Sequence, residues 1–406
     1  MSSHNNSTAA DSAADASAES AAGAAHAAAH STYNPVTADH FRARLAKAEK
    51  IVAEQNLAGF LVSPGPEFQY LTGSTFSSHE RATFLVLRAG KDPVAVCPET
   101  DVLTLQQENL DELGFRFEAW RDGQSPYEIT RRLLEENSEH KAVAVANAMT
   151  ADHVLRLDAA LPNHSIELGS DAMSQLLLAK GEEEISQLAA AAAAIDRVHE
   201  QVPALLRDGV TEREVADKLH DLILQEHHSI DFIIVGCGEN GANPHHSFSD
   251  RVLHTGEPVV VDLGGAFGDG YRSDSTRTYV VDGAVDKAPQ EFRDAYEVVT
   301  RAFHAAREVA KPGATAESID RAAREIITEA GYGENFSHRL GHGIGLSTHE
   351  DPFYLEGNKQ QVQEGFTFSI EPGIYVEGKW GMRLEDIVVL EADGPRHLNQ
   401  QPRELR

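Results

Sequence analysis

The chain has 406 residues, 41% of them hydrophobic and 24% charged, with a formal charge of -29. That length calls for two folded cores rather than one, and the negative surface would repel a phosphate backbone, which argues against nucleic acid. No apolar run approaches the ~20 residues that cross a bilayer, so the reading has no membrane partner.

Cys97 and Cys237 are the only cysteines, and neither belongs to a CxxC pair. They exclude a disulfide framework and a thiolate metal site, and point to a reducing, cytoplasmic setting. Residues 1–34, rich in Ala, Ser, His and Asp, have no basic start and no Leu/Val-rich stretch of a secretory signal. They are read as a solvated, disordered tail, with His4, His26 and His30 given no role.

Residues 35–178 predict a first α/β domain. Phe41, Leu45, Ala48 and Val52 recur at helical spacing between Phe41 and Gln55, and the apolar run Gly59–Val62 breaks at Pro64-Gly65-Pro66. Thr83–Leu87 and Pro93–Cys97 read as strands flanking the turn residues Ala89–Asp92. No cluster of catalytic residue types occurs here.

Residues 179–406 predict a second domain. Lys180-Gly-Glu-Glu-Glu184 opens an Ala-rich helix reaching Leu206, its acids suited to the positive end of the backbone dipole. Beyond it the sequence repeats itself. Gly209-Val-Thr-Glu-Arg-Glu-Val215 aligns with Gly313-Ala-Thr-Ala-Glu-Ser-Ile319, each with a Thr at a helix N-cap. Gly256-Glu-Pro-Val-Val-Val-Asp262 aligns with Gly365-Phe-Thr-Phe-Ser-Ile-Glu371, again without gaps. Two matches in the same order predict a duplicated half-domain of helix, helix, then strands.

Each half carries a pair of acids. Val259–Leu263 is a buried-strand pattern containing Asp262, and Tyr271–Val281 resumes as a strand containing Asp274. Folding about their midpoint, Gly268, sets the two acids opposite each other, ~4.5–5.5 Å apart at Cβ. Glu371 ends the strand Phe366–Ile370, Glu385 lies in Met382–Leu390, and their midpoint is Gly378. Four carboxylates gathered on facing halves call for protonation, basic partners or metal ions. Arg272 or Arg277 beside Asp274, and Arg383 beside Glu385, offer ordinary salt bridges as the alternative.

Between the acid pairs runs Ser337-His-Arg-Leu-Gly-His342-Gly-Ile-Gly-Leu-Ser-Thr-His349-Glu-Asp-Pro352. Its glycines argue against a helix and let the backbone approach a crowded site at His342. One imidazole in an oxygen-rich set suits Mn, Co, Fe or Zn better than Ca. His245 follows a loop-like stretch, Gly238–Pro244, and its neighbour His246 is read as solvated and idle.

At these residues the chain resembles the creatinase/aminopeptidase ("pita-bread") metallopeptidases, and within them the Xaa-Pro dipeptidases (prolidases) and aminopeptidase P. The likeness covers about residues 38–406. It rests on Val261-Asp262-Leu-Gly, Arg272-Ser-Asp274-Ser-Thr-Arg-Thr278, Gly341-His342-Gly-Ile-Gly345, Ile370-Glu371-Pro-Gly and Arg383-Leu-Glu385-Asp, with a short Tyr70-Leu-Thr-Gly73 in the first domain.

The resemblance implies a small creatinase-like α/β domain followed by a duplicated pita-bread catalytic domain. It also implies a homodimer and two divalent metals, Mn or Co. Asp262 would hold one metal, His342 and Glu371 the other, and Asp274 and Glu385 would bridge. Glu371 would shuttle the proton, and His245, His338 and His349 would line the substrate pocket and stabilise the intermediate. Arg383 would brace the carboxylates. The implied substrates are proline-containing dipeptides, or longer Xaa-Pro peptides if the chain follows aminopeptidase P. A pita-bread module that binds peptides without catalysis is the reading from another class.

Overall fold

The structure is a computed structural model that describes residues 33–78, 80–136 and 140–406. The expectation for residues 1–32, including His4, His26 and His30, lies outside the described residues. The chain forms two compact units: residues 36–177, and residues 178–406 joined by Tyr33–Pro35. Tyr33 and Asn34, read from sequence as tail, are packed. The Tyr33 ring meets Phe267 edge-on at 5.5 Å, and the Asn34 N–H donates to Ser186 Oγ.

The first unit is a mixed six-stranded sheet in the order β4-β3-β2-β1-β5-β6. Its strands are β1 (Leu57–Val62), β2 (Phe84–Leu87), β3 (Val94–Pro98), β4 (Arg116–Trp120), β5 (Ala142–Val145) and β6 (Ser165–Leu168). Helix α1 (Ala38–Glu54) buries Phe41, Leu45, Ala48 and Val52, the stripe legible in the sequence. The break at Pro64–Pro66 opens a short helix, Pro66–Thr72, which Gly73 ends in the left-handed region (φ +74°).

The second unit is built twice. In its first half, α2 (Glu182–Leu205) and α3 (Glu212–Glu226) pack on the sheet of β7 (Ser229–Cys237), β8 (Pro258–Phe267) and β9 (Tyr271–Val280). Ile195, Val198, Val215, Leu219, Val259, Val261 and Leu263 share that core. In the second half, α4 (Gln290–Val309) and α5 (Ala316–Glu329) bury Phe292, Val299, Phe303, Ile319 and Ile327 with Phe368, Ile370, Val388 and Leu390. Those four come from β12 (Thr367–Ile370) and β15 (Asp386–Glu391). Here the sheet runs β11-β10-β12-β15-β16, with β10 Gly341–Gly343, β11 Glu350–Tyr354 and β16 Gly394–His397. A separate ribbon pairs β13 (Gly373–Val376) with β14 (Trp380–Arg383).

The repeat extends to single hydrogen bonds. Gly209 N–H donates to Leu253 O as Gly313 does to Val362, and Leu253 N–H returns to Val210 as Val362 does to Ala314. Glu212 N–H reaches Arg251 O (3.0 Å) and Ala316 N–H reaches Gln360 O (2.9 Å). Gly209 and Gly313 both turn with positive φ (+87° and +92°), conformations that tolerate no Cβ without strain.

Cys97 in β3 and Cys237 at the end of β7 are buried and unpaired. Burial, helped by Asp101, pushes the Cys97 thiol to about 12, and burial with Glu257 raises Cys237 further.

Candidate metal centre

Strand alternation aims the first acid pair. Val259, Val261 and Leu263 face the helices, so Asp262 faces the other way. Antiparallel register sets Asp262 against Thr276, and Gly264 against Asp274. The sequence midpoint at Gly268 is therefore one residue off, because the tip is a Gly268-Asp269-Gly270 turn with positive φ at both glycines (+56° and +98°). Asp262 and Asp274 are diagonal neighbours on one face rather than opposed, still within reach of each other.

In the second half the midpoint holds. β12 pairs with β15 and β13 with β14 in one continuing register that turns at Gly378 (φ +71°). The predicted strand Met382–Leu390 is broken, however, at Leu384–Glu385. Pro372 has no N–H to give the ladder. Glu371 N–H goes instead to Leu340 O (2.9 Å) and Glu385 N–H to Thr276 O (3.2 Å).

His342 enters from β10. A Cβ on Gly341 would lie 2.0 Å from Ser369 O, and one on Gly343 2.3 Å from Asp351 O, so only glycine fits on either side of the histidine. The His342 Nδ1 meets the Gly343 carbonyl at 3.0 Å. A carbonyl only accepts, so Nδ1 carries a proton and Nε2 faces Glu371 Oε1 (3.2 Å) and Asp274 Oδ2 (3.6 Å). Ser369 Oγ binds Glu371 Oε1 (3.1 Å) and accepts the His342 N–H.

Three groups of side chains bring ligand atoms within 4.8 Å of one another: Asp262–Asp274–Glu385, His342–Glu371–Glu385 and Asp274–His342–His349. Asp262, Asp274, His342 and Glu385 are buried. Burial first, then the neighbouring carboxylates, lifts Asp274 and Glu385 well above the ordinary carboxylate range. Burial also raises Asp262, against the pull of Arg383. For Glu371 burial is outweighed by the His342 contact, which holds it at about 2. Asp262 Oδ1 is buried with no donor in hydrogen-bonding geometry.

The salt-bridge alternative does not occur. Arg272 pairs with Asp231, Arg277 with Asp386, and Arg383 with Asp262, leaving Asp274 and Glu385 without an arginine partner among the described residues. Like charges, an orphaned acceptor and an imidazole nitrogen set against carboxylates fit one kind of occupant, a divalent cation.

Around this cluster Arg383 makes a brace. Its Nη2 donates to Asp262 Oδ2, its Nε to Thr276 Oγ1 (3.0 Å) and its Nη1 to the Tyr375 hydroxyl (2.7 Å). Thr276 Oγ1 donates onward to Glu385 Oε2 (2.7 Å), and Tyr375 meets His338 Nε2 at 3.0 Å. His338 is half-buried, its other nitrogen on Arg339 O (2.7 Å). His349 is exposed, 4.2 Å from His342 ring to ring, and burial of its inner atoms with the adjacent His342 lowers it to about 4. His245 is exposed in the loop after β7, near enough to be among the charges acting on His349.

Sequence reasoning missed Thr276, Tyr375 and Ser369. Thr276 faces Asp262 only in the register that the structure shows, and nothing in the sequence marks the other two. It also read His246 as idle, whereas His246 Nε2 binds Glu212 Oε2 at 2.8 Å.

Four carboxylates and an imidazole, converging where two halves of a duplicated helix-and-sheet domain meet, define a metallopeptidase of the creatinase/prolidase type. Residues 186–392 match Metallopeptidase family M24 and residues 44–176 match the Creatinase/Prolidase N-terminal domain. The chain belongs to metallopeptidase family M24, a family of enzymes that use divalent metal ions. It is 44% identical to the "Probable dipeptidase PepE" of Mycobacterium tuberculosis over 91% of this chain and 96% of that one. It is 35% identical to the Xaa-Pro dipeptidase of Lactobacillus helveticus, over 89% and 98%. The crystal structure of dipeptidase PepE from Mycobacterium ulcerans superposes with a TM-score of 0.87 at 41% identity, over 92% and 99%.

Proposed function

We propose that the chain is an Xaa-Pro dipeptidase in which Asp262, Asp274, His342, Glu371 and Glu385 hold two divalent ions. The observation that carries this reading is how the ligand groups overlap. Asp274 and Glu385 each belong both to a group with Asp262 and to a group with His342, as bridging ligands would. Asp262 then serves one ion, and His342 with Glu371 the other. A set of carboxylates with one imidazole favours Mn, with Co as the second choice.

Such an ion pair supplies a water activated near neutral pH and polarises the scissile carbonyl. Glu371, beside His342, takes the proton and passes it toward the leaving proline nitrogen. His349 and His245, exposed above the cluster, donate to the developing oxyanion. His338 and Arg383 contribute to the pocket, His338 through Tyr375 and Arg383 by holding Asp262.

The setting is cytoplasmic, supported by two buried, unpaired cysteines; no helix of the described residues is long and apolar enough to cross a membrane. The assembly is a homodimer, as the family resemblance implies.

The test is a panel of Xaa-Pro dipeptides against Xaa-Pro-Yaa tripeptides, assayed with Mn and with Co, alongside metal analysis and sedimentation. Preference for tripeptides would move the chain to aminopeptidase P. Absence of bound metal and of hydrolysis would reduce it to a peptide-binding module.

A further inference from the structure

Glu212 opens helix α3 and is 0% exposed, an unusual place for a carboxylate far in sequence from the metal centre. Its oxygens collect donors from the whole of the loop that follows β7. Cys237 N–H reaches Oε1 at 2.7 Å from the start of that loop, and Asn240 Nδ2 reaches both oxygens at 3.0 and 3.1 Å. His246 Nε2 lies at 2.8 Å from Oε2, and Ser249 gives that oxygen both its N–H (2.8 Å) and its hydroxyl (2.6 Å). Burial alone would raise the carboxyl, but these contacts outweigh it and leave Glu212 below its ordinary value.

The duplication supplies an internal control. The second repeat makes the same backbone turn with Ala316 in the position of Glu212, and with the same N–H contact to the incoming chain. The turn and the helix start therefore need no carboxylate. What the carboxylate adds is its hold on the loop, through Cys237, Asn240, His246 and Ser249.

The loop is anchored on its far side as well. A Cβ on Gly381 of β14 would lie 1.8 Å from Gly241 O, so loop and strand are in backbone contact, and Arg383 Nη1 points to Pro244 O at 3.5 Å. Between these two anchorages His245 projects into solvent, its own N–H held by Asn243 Oδ1 at 3.1 Å.

We infer that Glu212 is a positioning residue for the reaction. By binding Cys237, Asn240, His246 and Ser249 it fixes the loop that presents His245 over the metal centre. A loop free at its inner side would let that imidazole wander, and misplacement by about 1 Å is enough to cost ~100-fold in rate. His246 is then a strut for its neighbour rather than a second pocket histidine. The inference rests on the oxyanion role given to His245 above.

The experiment compares Glu212→Gln, Ser249→Ala and His245→Ala, each alone and with His245→Ala added to the first two, on the metal-loaded full chain with an Xaa-Pro dipeptide. Glu212→Gln keeps the shape but turns an amide group toward donors, so kcat should fall roughly 10- to 100-fold with KM and bound metal unchanged. Ser249→Ala removes the hydroxyl donor while keeping the carboxylate and the backbone N–H that binds it, which guards against a Glu212→Gln chain that does not fold; it should give a smaller loss of the same kind. In the His245→Ala background neither change should lower kcat further. Losses that multiply with that of His245→Ala, or a loss of metal, would overturn the positioning role. Normal kcat in both single variants, with His245→Ala impaired, would overturn it and leave the role of His245 standing. Full activity in His245→Ala would remove that role, and this inference with it.

Discussion

The β8–β9 hairpin and its counterpart in the second half present acids at matching positions but are built differently. β8–β9 is paired without interruption from Pro258–Val280 to Phe267–Tyr271, whereas the second ladder stops after Ile370–Asp386 and resumes at Gly373–Arg383. In the continuous hairpin, strand alternation alone aims Asp262 and Asp274. In the interrupted one the acids sit at the gap, and neighbours outside the hairpin hold them. Thr276 takes both the backbone N–H and the side chain of Glu385, Arg277 Nη1 donates to Glu385 O, and Leu340 O takes the Glu371 N–H. Glu385 thus depends on the first half for its geometry, so the centre belongs to the seam and to neither half alone.

The largest test of that comparison exchanges one acid from each hairpin. Asp274→Ala and Glu385→Ala should abolish hydrolysis and lose both metals, despite the different constructions. Plasma emission spectrometry, with circular dichroism to confirm folding, reads this directly. Two metals retained in either variant would end the bridging assignment.

A second test separates ligand from pocket within one segment. His349→Ala should lower kcat by about 100- to 1000-fold with normal metal content, while His342→Ala should lose metal together with rate. Equal metal content in the two would mean that the ligand has been placed on the wrong histidine.

The third concerns pH. Asp262, Asp274 and Glu385 are raised, so between the ordinary carboxylate range and their folded values the native metal-free state holds more protons than the unfolded chain. Stability from these groups is full at low pH and lost as pH rises. Glu371, held at about 2, acts in the opposite sense and below that window. The difference in melting temperature between metal-loaded and metal-free protein should therefore widen from pH 5 to about pH 8. Buried neutral histidines such as His199 and His227 are common to both forms and drop out of the difference. A constant gap would mean that the carboxylates are not strained without metal.

The smallest effect is at the two hairpin tips. Gly378→Ala meets nothing within 4 Å and should cost only the left-handed strain of about 1–2 kcal/mol. Gly268→Ala adds a clash, because Gln187 Oε1 lies 2.1 Å from the new Cβ and Gln187 is bonded to Asp269 on both sides. It should cost roughly 1 kcal/mol more in a thermal melt.

Much of this was legible beforehand because it is written as spacing. The α1 stripe, the paired Gly209 and Gly313 motifs, and the Gly378 pivot all follow from counting residues. The Gly268 pivot failed because Gly268 and Gly270 offer two equivalent left-handed positions, and only the register chooses between them. The gap at Glu385 had a signal, Pro372, whose missing N–H ends a ladder; the sequence reading treated it as part of a motif instead. Tyr375, Ser369 and the Glu212–His246 pair had none. They are ordinary polar residues, each with a partner 27 or more positions away, and contact at that distance is a property of the packed chain.

The two buried thiols have a practical consequence. With Cys97 and Cys237 both fully enclosed and their thiols raised by burial, almost no thiolate is available to alkylating reagents or oxygen while the protein is folded. Preparations can be handled in air without thiol reductants, which would otherwise compete for the metal. A cysteine introduced at an open position such as Leu155, 69% exposed, would be the single reactive thiol of the chain. A maleimide dye or nitroxide placed there would report on the native protein without removing either natural cysteine.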